Sequence, residues 1–142
     1  MICAVSFKED MGKMMSNNHI GTKMISCESF AVLNTRATLK EALDQMTKFR
    51  LGISCLVDES NKLIGVLTDG DLRRLLLTKQ SPLPELLVSP AIEFGHKNPI
   101  TIKKETSIDD AKLLMQQKEI WDLPVIDNEG KLQGLVHRHA IS

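Results

Sequence analysis

The sequence predicts an α+β (α/β) fold in which two β-α-β-β-α repeats pack about a pseudo-twofold axis, the second lacking its last helix. Three observations support it: an internal repeat, matching helix caps, and paired apolar runs around polar turns. A shift of 69 residues places Thr38 on Ser107 and Gly65 on Gly134 without a gap. A unit of about 60 residues buries too little apolar surface to be very stable alone. The two repeats are therefore expected to pack together.

The helix of each half begins with a hydroxyl residue followed three positions later by an acid. TLKE (38–41) and SIDD (107–110) both have the pattern of a capping box, in which the two side chains bind backbone N–H groups reciprocally. Apolar residues then follow at helical spacing: Leu39, Ala42, Leu43 and Met46 in the first half, and Ile108, Ala111, Leu114 and Met115 in the second.

Short apolar runs on either side of polar turns predict the strands. They lie at 54–58 and 63–68 in the first half and at 123–127 and 132–137 in the second. A further short strand is expected before each helix, at 31–34 and at 100–102, and a helix at 69–77 completes the first repeat. The predicted organisation is a tail or linker (1–24), a first repeat (25–80), a connector with room for one helical turn (81–98) and a truncated second repeat (99–142).

Composition excludes several classes of function. The 142 residues carry 18 basic and 18 acidic side chains, so nothing marks a nucleic-acid or anionic-membrane partner. No apolar run approaches the roughly 20 residues of a membrane span, and the start does not resemble a secretory signal. Three cysteines without a C-x-x-C motif indicate reduced thiols and a cytoplasmic location.

The run from Gly65 to Asp71, GVLTDGD, resembles the Gly-h-h-Thr/Ser-x-x-Asp signature of tandem cystathionine-β-synthase (CBS) domains, or Bateman modules. The likeness covers roughly 24–142. TDGDLRR more specifically resembles the CBS pair at the C-terminus of bacterial D-arabinose-5-phosphate isomerases, and also CBS pairs of some sugar nucleotidyltransferases. In the isomerases the second half tends to end in H-x-H-D, whereas here Ala140 replaces the acid. The resemblance implies a fragment or truncated relative, because residues 1–24 cannot hold an isomerase domain.

The resemblance implies that Thr68 and Asp71, with Gly70 between them, bind the ribose hydroxyls of a nucleotide. The alternative is a capping box alone. By position in the family, base contacts come from Val32 to Thr35 and from Gly52 to Ser54 (Gly52, Ile53 and Ser54) in the first half. In the second half they come from Ile100, Thr101 and Asp122 to Pro124. Plain core strand is the alternative for most of these residues. Arg73 and Arg74 either meet phosphates or a sugar carboxylate, or form a solvated helix face.

His137 and His139 are expected on one face of a strand, because alternate residues share a face. A metal site, contact with an anionic ligand and an ordinary polar strand end are the three interpretations. No further metal ligands are evident, so no metal is predicted. Trp121 is expected to pack in the core or the groove. Because Ala140 removes the second carboxylate, one ligand site is predicted rather than two.

The leading hypothesis is a non-catalytic regulatory module that senses a nucleotide or nucleotide-sugar, with adenosine or cytidine as the nucleoside. No cofactor is required and no catalytic residue is predicted, since no nucleophile–base pair, Walker loop or H-E-x-x-H motif is present. The resemblance also implies a homodimer through the CBS helices and a host or partner enzyme. The alternatives are a C-terminal fragment of an arabinose-5-phosphate isomerase and a purely structural dimerisation module.

Overall fold

The computed structural model describes residues 18–141, and the rest of the predicted tail, Cys3 and Ser142 lie outside the described residues. Both repeats have the predicted mixed α and β composition. The first contains β1 (Ala31–Asn34), α1 (Leu39–Phe49), β2 (Ile53–Val57), β3 (Leu63–Thr68) and α2 (Asp69–Thr78). The connector contains α3 (Leu83–Leu87), and the second repeat contains α4 (Ile108–Lys118), β4 (Asp122–Ile126), β5 (Leu132–His137) and α5 (Arg138–Ile141).

The two sheets contact each other at their hairpins. In the first repeat β1 runs parallel to β2 and β2 antiparallel to β3, and in the second β4 runs antiparallel to β5. The two hairpin turns meet, since Leu63 N donates to Gly130 O at 3.0 Å and Leu132 N donates to Asn61 O at 2.9 Å. These reciprocal bonds join equivalent positions and confirm the predicted pseudo-twofold arrangement.

The strand predicted at 100–102 is reduced to one parallel bridge between Ile102 and Val125. Ile102 N donates to Pro124 O at 3.1 Å, and Ile126 N donates to Ile102 O at 2.9 Å. The next bond of a parallel ladder would need an N–H from Pro124, which proline lacks. Pro124 therefore ends the pairing that β1 and β2 continue in the first repeat.

The described end of the predicted tail is packed against the second repeat. Residues 20–22 form a 3-10 helix, and Ile20 is fully buried in the second-repeat core. Ile25 exchanges two backbone hydrogen bonds with Leu135, at 2.7 and 3.0 Å. His96, at the end of the connector, makes the same exchange with Val66 in the first repeat. The segment before each repeat thus packs on the other repeat, and we call residues 18–25 the N-terminal strap.

The second repeat does not end with β5, contrary to the sequence prediction. The chain turns into the short helix α5, and Ile141 packs into the second-repeat core with 4% of its surface exposed. Burial of this apolar side chain stabilises the helical turn. His139 consequently lies on α5 and not on the strand, so the prediction that His137 and His139 project from one strand face is wrong.

The predicted caps form at the helix starts. Thr38 and Glu41 make a complete capping box on α1, and Thr68 and Asp71 make one on α2. On α4 the Ser107 hydroxyl accepts from Asp110 N at 3.1 Å, which is the first of the two bonds. These caps fix where each helix begins and, for α2, where its acidic side chains lie.

A core shared by both repeats lies between the hairpins. It joins Ile53, Cys55 and Val66 of the first repeat to Leu132 and Leu135 of the second. Cys27 and Cys55 are free thiols. Burial raises the pKa of the Cys55 thiol, so this residue serves as a small apolar packing group. The shared core fixes the relative position of the two strand ends that form the groove described below.

Candidate functional site

A groove of about 820 Å³ lies between the two repeats. One wall is the start of β2 and the end of β3 with the start of α2, and the other is the loop before β4 with the start of β4 and the end of β5. Three pairs of equivalent positions line both walls: Gly52 and Trp121, Ile53 and Asp122, and Thr68 and His137. The groove brings together nine of the residues predicted as a binding site: Gly52, Ile53, Thr68, Gly70, Asp71, Arg73, Asp122, Pro124 and His137.

Thr68 and Asp71 form a closed ring of hydrogen bonds at the start of α2. Thr68 N and Oγ1 donate to Asp71 Oδ2 at 2.9 and 3.0 Å, and Asp71 N donates to Thr68 Oγ1 at 3.3 Å. Arg74 Nη2 donates to Asp71 Oδ1 at 2.6 Å. These contacts use three of the roughly four acceptor positions of a carboxylate. A ligand with two adjacent hydroxyls gains a second position only when Arg74, whose side chain is 63% exposed, moves away.

Gly52 and Trp121 occupy equivalent positions before β2 and β4 and have the same backbone contact. Asp69 N donates to Gly52 O at 3.0 Å, and Arg138 N donates to Trp121 O at 2.8 Å. In the first repeat the Asp69 carboxylate fills the space that a Cβ on Gly52 would need. In the second repeat the Arg138 guanidinium lies 4.9 Å from the centroid of the Trp121 ring. The side chains that follow the two equivalent backbone bonds, Asp69 and Arg138, therefore carry opposite charges.

Asp122 and His137 form a half-buried pair in the second-repeat wall. They are directly opposite each other on β4 and β5, and His137 Nδ1 donates to Asp122 Oδ1 at 2.7 Å. Burial raises the pKa of the Asp122 carboxyl, the hydrogen bond and charge of His137 oppose this, and the charge of Asp69 raises the pKa further. Asp69 and Asp122 line the same groove from its two walls.

Two more rings surround this pair. The His137 and His139 rings lie 5.0 Å apart, and the His139 and Trp121 rings lie 6.0 Å apart. Trp121 is 54% exposed and lines the groove, so of its two predicted environments the structure selects the groove. The second wall carries the aromatic rings of Trp121 and His137, and both walls carry acidic as well as basic side chains.

Comparison with models of known protein families assigns this chain to a family. The family model of the CBS domain matches residues 23–78 and again residues 91–142. The chain belongs to the CBS domain family. It contains two copies of the domain and is a CBS pair.

Similar proteins include parts of longer enzymes. The CBS pair is 39% identical over 99 residues to inosine-5'-monophosphate dehydrogenase of Aquifex aeolicus (strain VF5). The aligned region covers 69% of this chain and 19% of the dehydrogenase. The CBS pair is 33% identical over 100 residues to arabinose 5-phosphate isomerase GutQ of Salmonella typhi. That aligned region covers 70% of this chain and 30% of the isomerase. The chain thus spans less than a third of the length of these relatives.

A solved structure with the same fold is that of CBSX2 in complex with AMP. It superposes with a TM-score of 0.76 at 23% sequence identity and covers 87% of this chain and 92% of that chain. At this identity the likeness establishes the fold of the CBS pair.

Five of the predicted site residues do not line the groove of this CBS pair. Ser54 is fully buried, and its hydroxyl donates to Leu67 O at 3.5 Å. Val32 packs beside the shared core, Thr35 is exposed and Thr101 is half-buried. His139 lies on α5 beside His137. Ile100, by contrast, lines the groove as predicted by position. The repeat shift finds strand positions, but burial decides which of them reach the groove.

Some groove residues were absent from the predicted set. The end of the connector contributes His96 and Asn98, and the end of α4 with its C-cap contributes Lys118 and Glu119. The pairing of His96 with Val66 holds the connector at the groove. This contact joins distant parts of the chain, so no local pattern indicates it. Glu119 is the left-handed C-cap of α4, as Arg50 is for α1, and the repeat shift could have found that position.

Two classes of site are not seen in the part of the chain that the structure describes. Within residues 18–141 no three metal-ligating side chains come together, around His137 and His139 or elsewhere. Within the same residues no helix is both long and apolar enough to cross a membrane. The groove between the repeats is therefore the feature to which a function is assigned.

Proposed function

We propose that this CBS pair is a non-catalytic regulatory module that binds a nucleotide in the groove between its repeats. The observation that carries the proposal is the placement of Thr68 and Asp71 in the groove wall. The half-buried carboxylate of Asp71 can accept hydrogen bonds from the hydroxyls of a ribose, because hydrogen bonds to a charged acceptor are stronger than those between neutral groups. The complex of CBSX2 with AMP supports an adenosine nucleotide as the first ligand to test.

Binding would act on an attached or partner enzyme by shifting its conformational populations. A sugar-phosphate isomerase of surface polysaccharide synthesis is supported as that enzyme by the TDGDLRR run and the likeness to GutQ. In that setting a cytidine nucleotide-sugar is the ligand to test beside AMP. Of the two alternatives, a purely structural module predicts no Asp71-dependent binding, and an isomerase fragment is distinguished by isomerase activity. A cytoplasmic location fits all three functions.

Replacing Asp71 with alanine is expected to weaken nucleotide binding by about 1–3 kcal/mol, because the ribose hydroxyls lose a charged acceptor. The measurement is isothermal titration calorimetry with AMP, ATP, CMP and a CMP-sugar. Glu41→Ala is the matched control, since Glu41 completes the equivalent capping box on α1 and does not line the groove. Equal affinities in the two variants, or no binding by the unmodified chain, would end the proposal.

We also propose that the CBS pair forms a homodimer through its helices. Support comes from two apolar side chains on α2, since Leu76 is 59% exposed and Leu77 is 79% exposed. Leu77→Glu is expected to convert the dimer to a monomer, because a charged side chain would replace an apolar one in the proposed contact. Light scattering at several concentrations measures this. A monomer in the unmodified protein would contradict the proposed homodimer, and the nucleotide site does not depend on it.

A further inference from the structure

Arg74 binds the carboxylate that the proposed nucleotide site needs. Its Nη2 donates to Asp71 Oδ1 at 2.6 Å from the next turn of α2. The capping box already engages the other oxygen, since Thr68 N and Oγ1 both donate to Asp71 Oδ2. A carboxylate offers about four acceptor positions, two on each oxygen. One position on Oδ1 is therefore left, whereas two neighbouring hydroxyls of a ribose require two.

The two partners of this contact differ in how firmly they are held. The Asp71 side chain is 11% exposed and is fixed by the capping box, whereas the Arg74 side chain is 63% exposed. The guanidinium lies over Gly70 in the groove wall, because a Cβ on that glycine would be 3.5 Å from Nη1 and 3.7 Å from Nη2. Breaking the contact therefore requires Arg74 to move and leaves Asp71 in place.

We propose that the contact between Arg74 and Asp71 is autoinhibitory: the guanidinium occupies an acceptor position that the second hydroxyl of a ligand needs, and binding displaces it. The inference rests on the proposed nucleotide function, in which Asp71 binds ribose hydroxyls. It adds a residue of the chain that competes with the ligand. The second repeat has Ala140 at the position of Asp71, so this competition belongs to the first repeat.

A second ion pair of the same repeat shows why the contact with Asp71 can compete. Lys40 Nζ and Asp44 Oδ2 on α1 are 2.7 Å apart, and their side chains are 64% and 62% exposed. Water and salt reach both of these groups, and such exposed pairs contribute little. The Asp71 carboxylate is largely shielded from solvent, so its attraction for a cation is screened less.

Calorimetry with uncharged ligands tests the contact, because a ligand without a phosphate does not pair with the charge of Arg74. Adenosine and cytidine are compared with their 2',3'-dideoxy forms, which lack both ribose hydroxyls, on the unmodified chain and on Arg74→Met. The variant is expected to bind the two nucleosides about two- to fivefold more tightly, since one ion pair no longer has to be broken. The dideoxy forms are expected to show no such gain.

Ionic strength provides a second measurement. Raising the salt concentration from about 0.01 M to about 1 M shortens the range of charge interactions from about 30 Å to about 3 Å. Over this range the nucleoside affinity of the unmodified chain is expected to rise about twofold relative to that of Arg74→Met. Lys40→Met is the matched control, because it removes a paired cation from α1 outside the groove. It is expected to keep the affinity and the salt response of the unmodified chain.

Equal nucleoside affinities in Arg74→Met and in the unmodified chain would overturn the autoinhibitory contact and leave the nucleotide function standing. A gain that the dideoxy forms share would do the same, because it would not depend on the hydroxyls. So would binding of AMP or CMP by the unmodified chain without nucleoside binding by Arg74→Met. If neither the nucleosides nor AMP and CMP bind to either protein, the nucleotide function and the autoinhibitory contact are both wrong.

Discussion

Replacing Ile20 with alanine is expected to lower the free energy of unfolding by about 2–5 kcal/mol, because the side chain is fully buried and its removal leaves a cavity. Ile20 packs with Met115 and Val136 in the second-repeat core. Its backbone is fixed as well, since Ile20 N donates to Thr106 O at 2.9 Å. Urea denaturation followed by circular dichroism measures the change.

The matched control is Lys23→Ala, an exposed residue of the same N-terminal strap. A surface change of this kind usually shifts the free energy of unfolding by about 0.5 kcal/mol or less. If Ile20→Ala were no more destabilising than Lys23→Ala, the strap would not be part of the second-repeat core. The difference between the two variants separates packing from any general effect of altering the segment.

The strap shows why part of the fold could not be predicted from the sequence. Ile20 stands in a polar stretch without helical or strand periodicity, so no local pattern marks it as buried. The partners of the strap lie far along the chain: Ile20 is bonded to Thr106, and Ile25 is bonded to Leu135. The hairpins were predictable for the opposite reason. The apolar runs and the polar turns between them are properties of short segments of sequence, and the repeat shift indicates the same strands.

The groove was partly predictable for a similar reason. The motif at Thr68 and Asp71 is local, and its capping geometry follows from the residue types. The Asp122–His137 pair depends on which residues face each other across β4 and β5, which is a matter of hairpin register. The error at His139 came from extending β5 beyond its end. The burial of Ile141, only two residues later, draws the chain into a helix there.

Gly134→Ala is expected to lower the free energy of unfolding by about 3 kcal/mol or more, because the new methyl group would collide with backbone. A Cβ at this position would lie 2.7 Å from Ile25 O and 2.9 Å from Met24 Sδ. Relief of that clash requires the strap to move away from β5. The two hydrogen bonds between Ile25 and Leu135 are then strained or lost.

The equivalent Gly65 and the helical Gly70 give a graded comparison by thermal or urea denaturation. A Cβ on Gly65 would lie 3.0 Å from His96 O, and a Cβ on Gly70 would meet its neighbours at an ordinary 3.5 Å. The expected order of destabilisation is therefore Gly134→Ala, then Gly65→Ala, with Gly70→Ala close to neutral. An alanine at Gly134 that cost no more than one at Gly70 would contradict the close approach of the strap. In each repeat a backbone carbonyl from the preceding segment, that of Ile25 at Gly134 and that of His96 at Gly65, lies close to the glycine Cα. This close approach explains why the signature motif begins with glycine in both repeats.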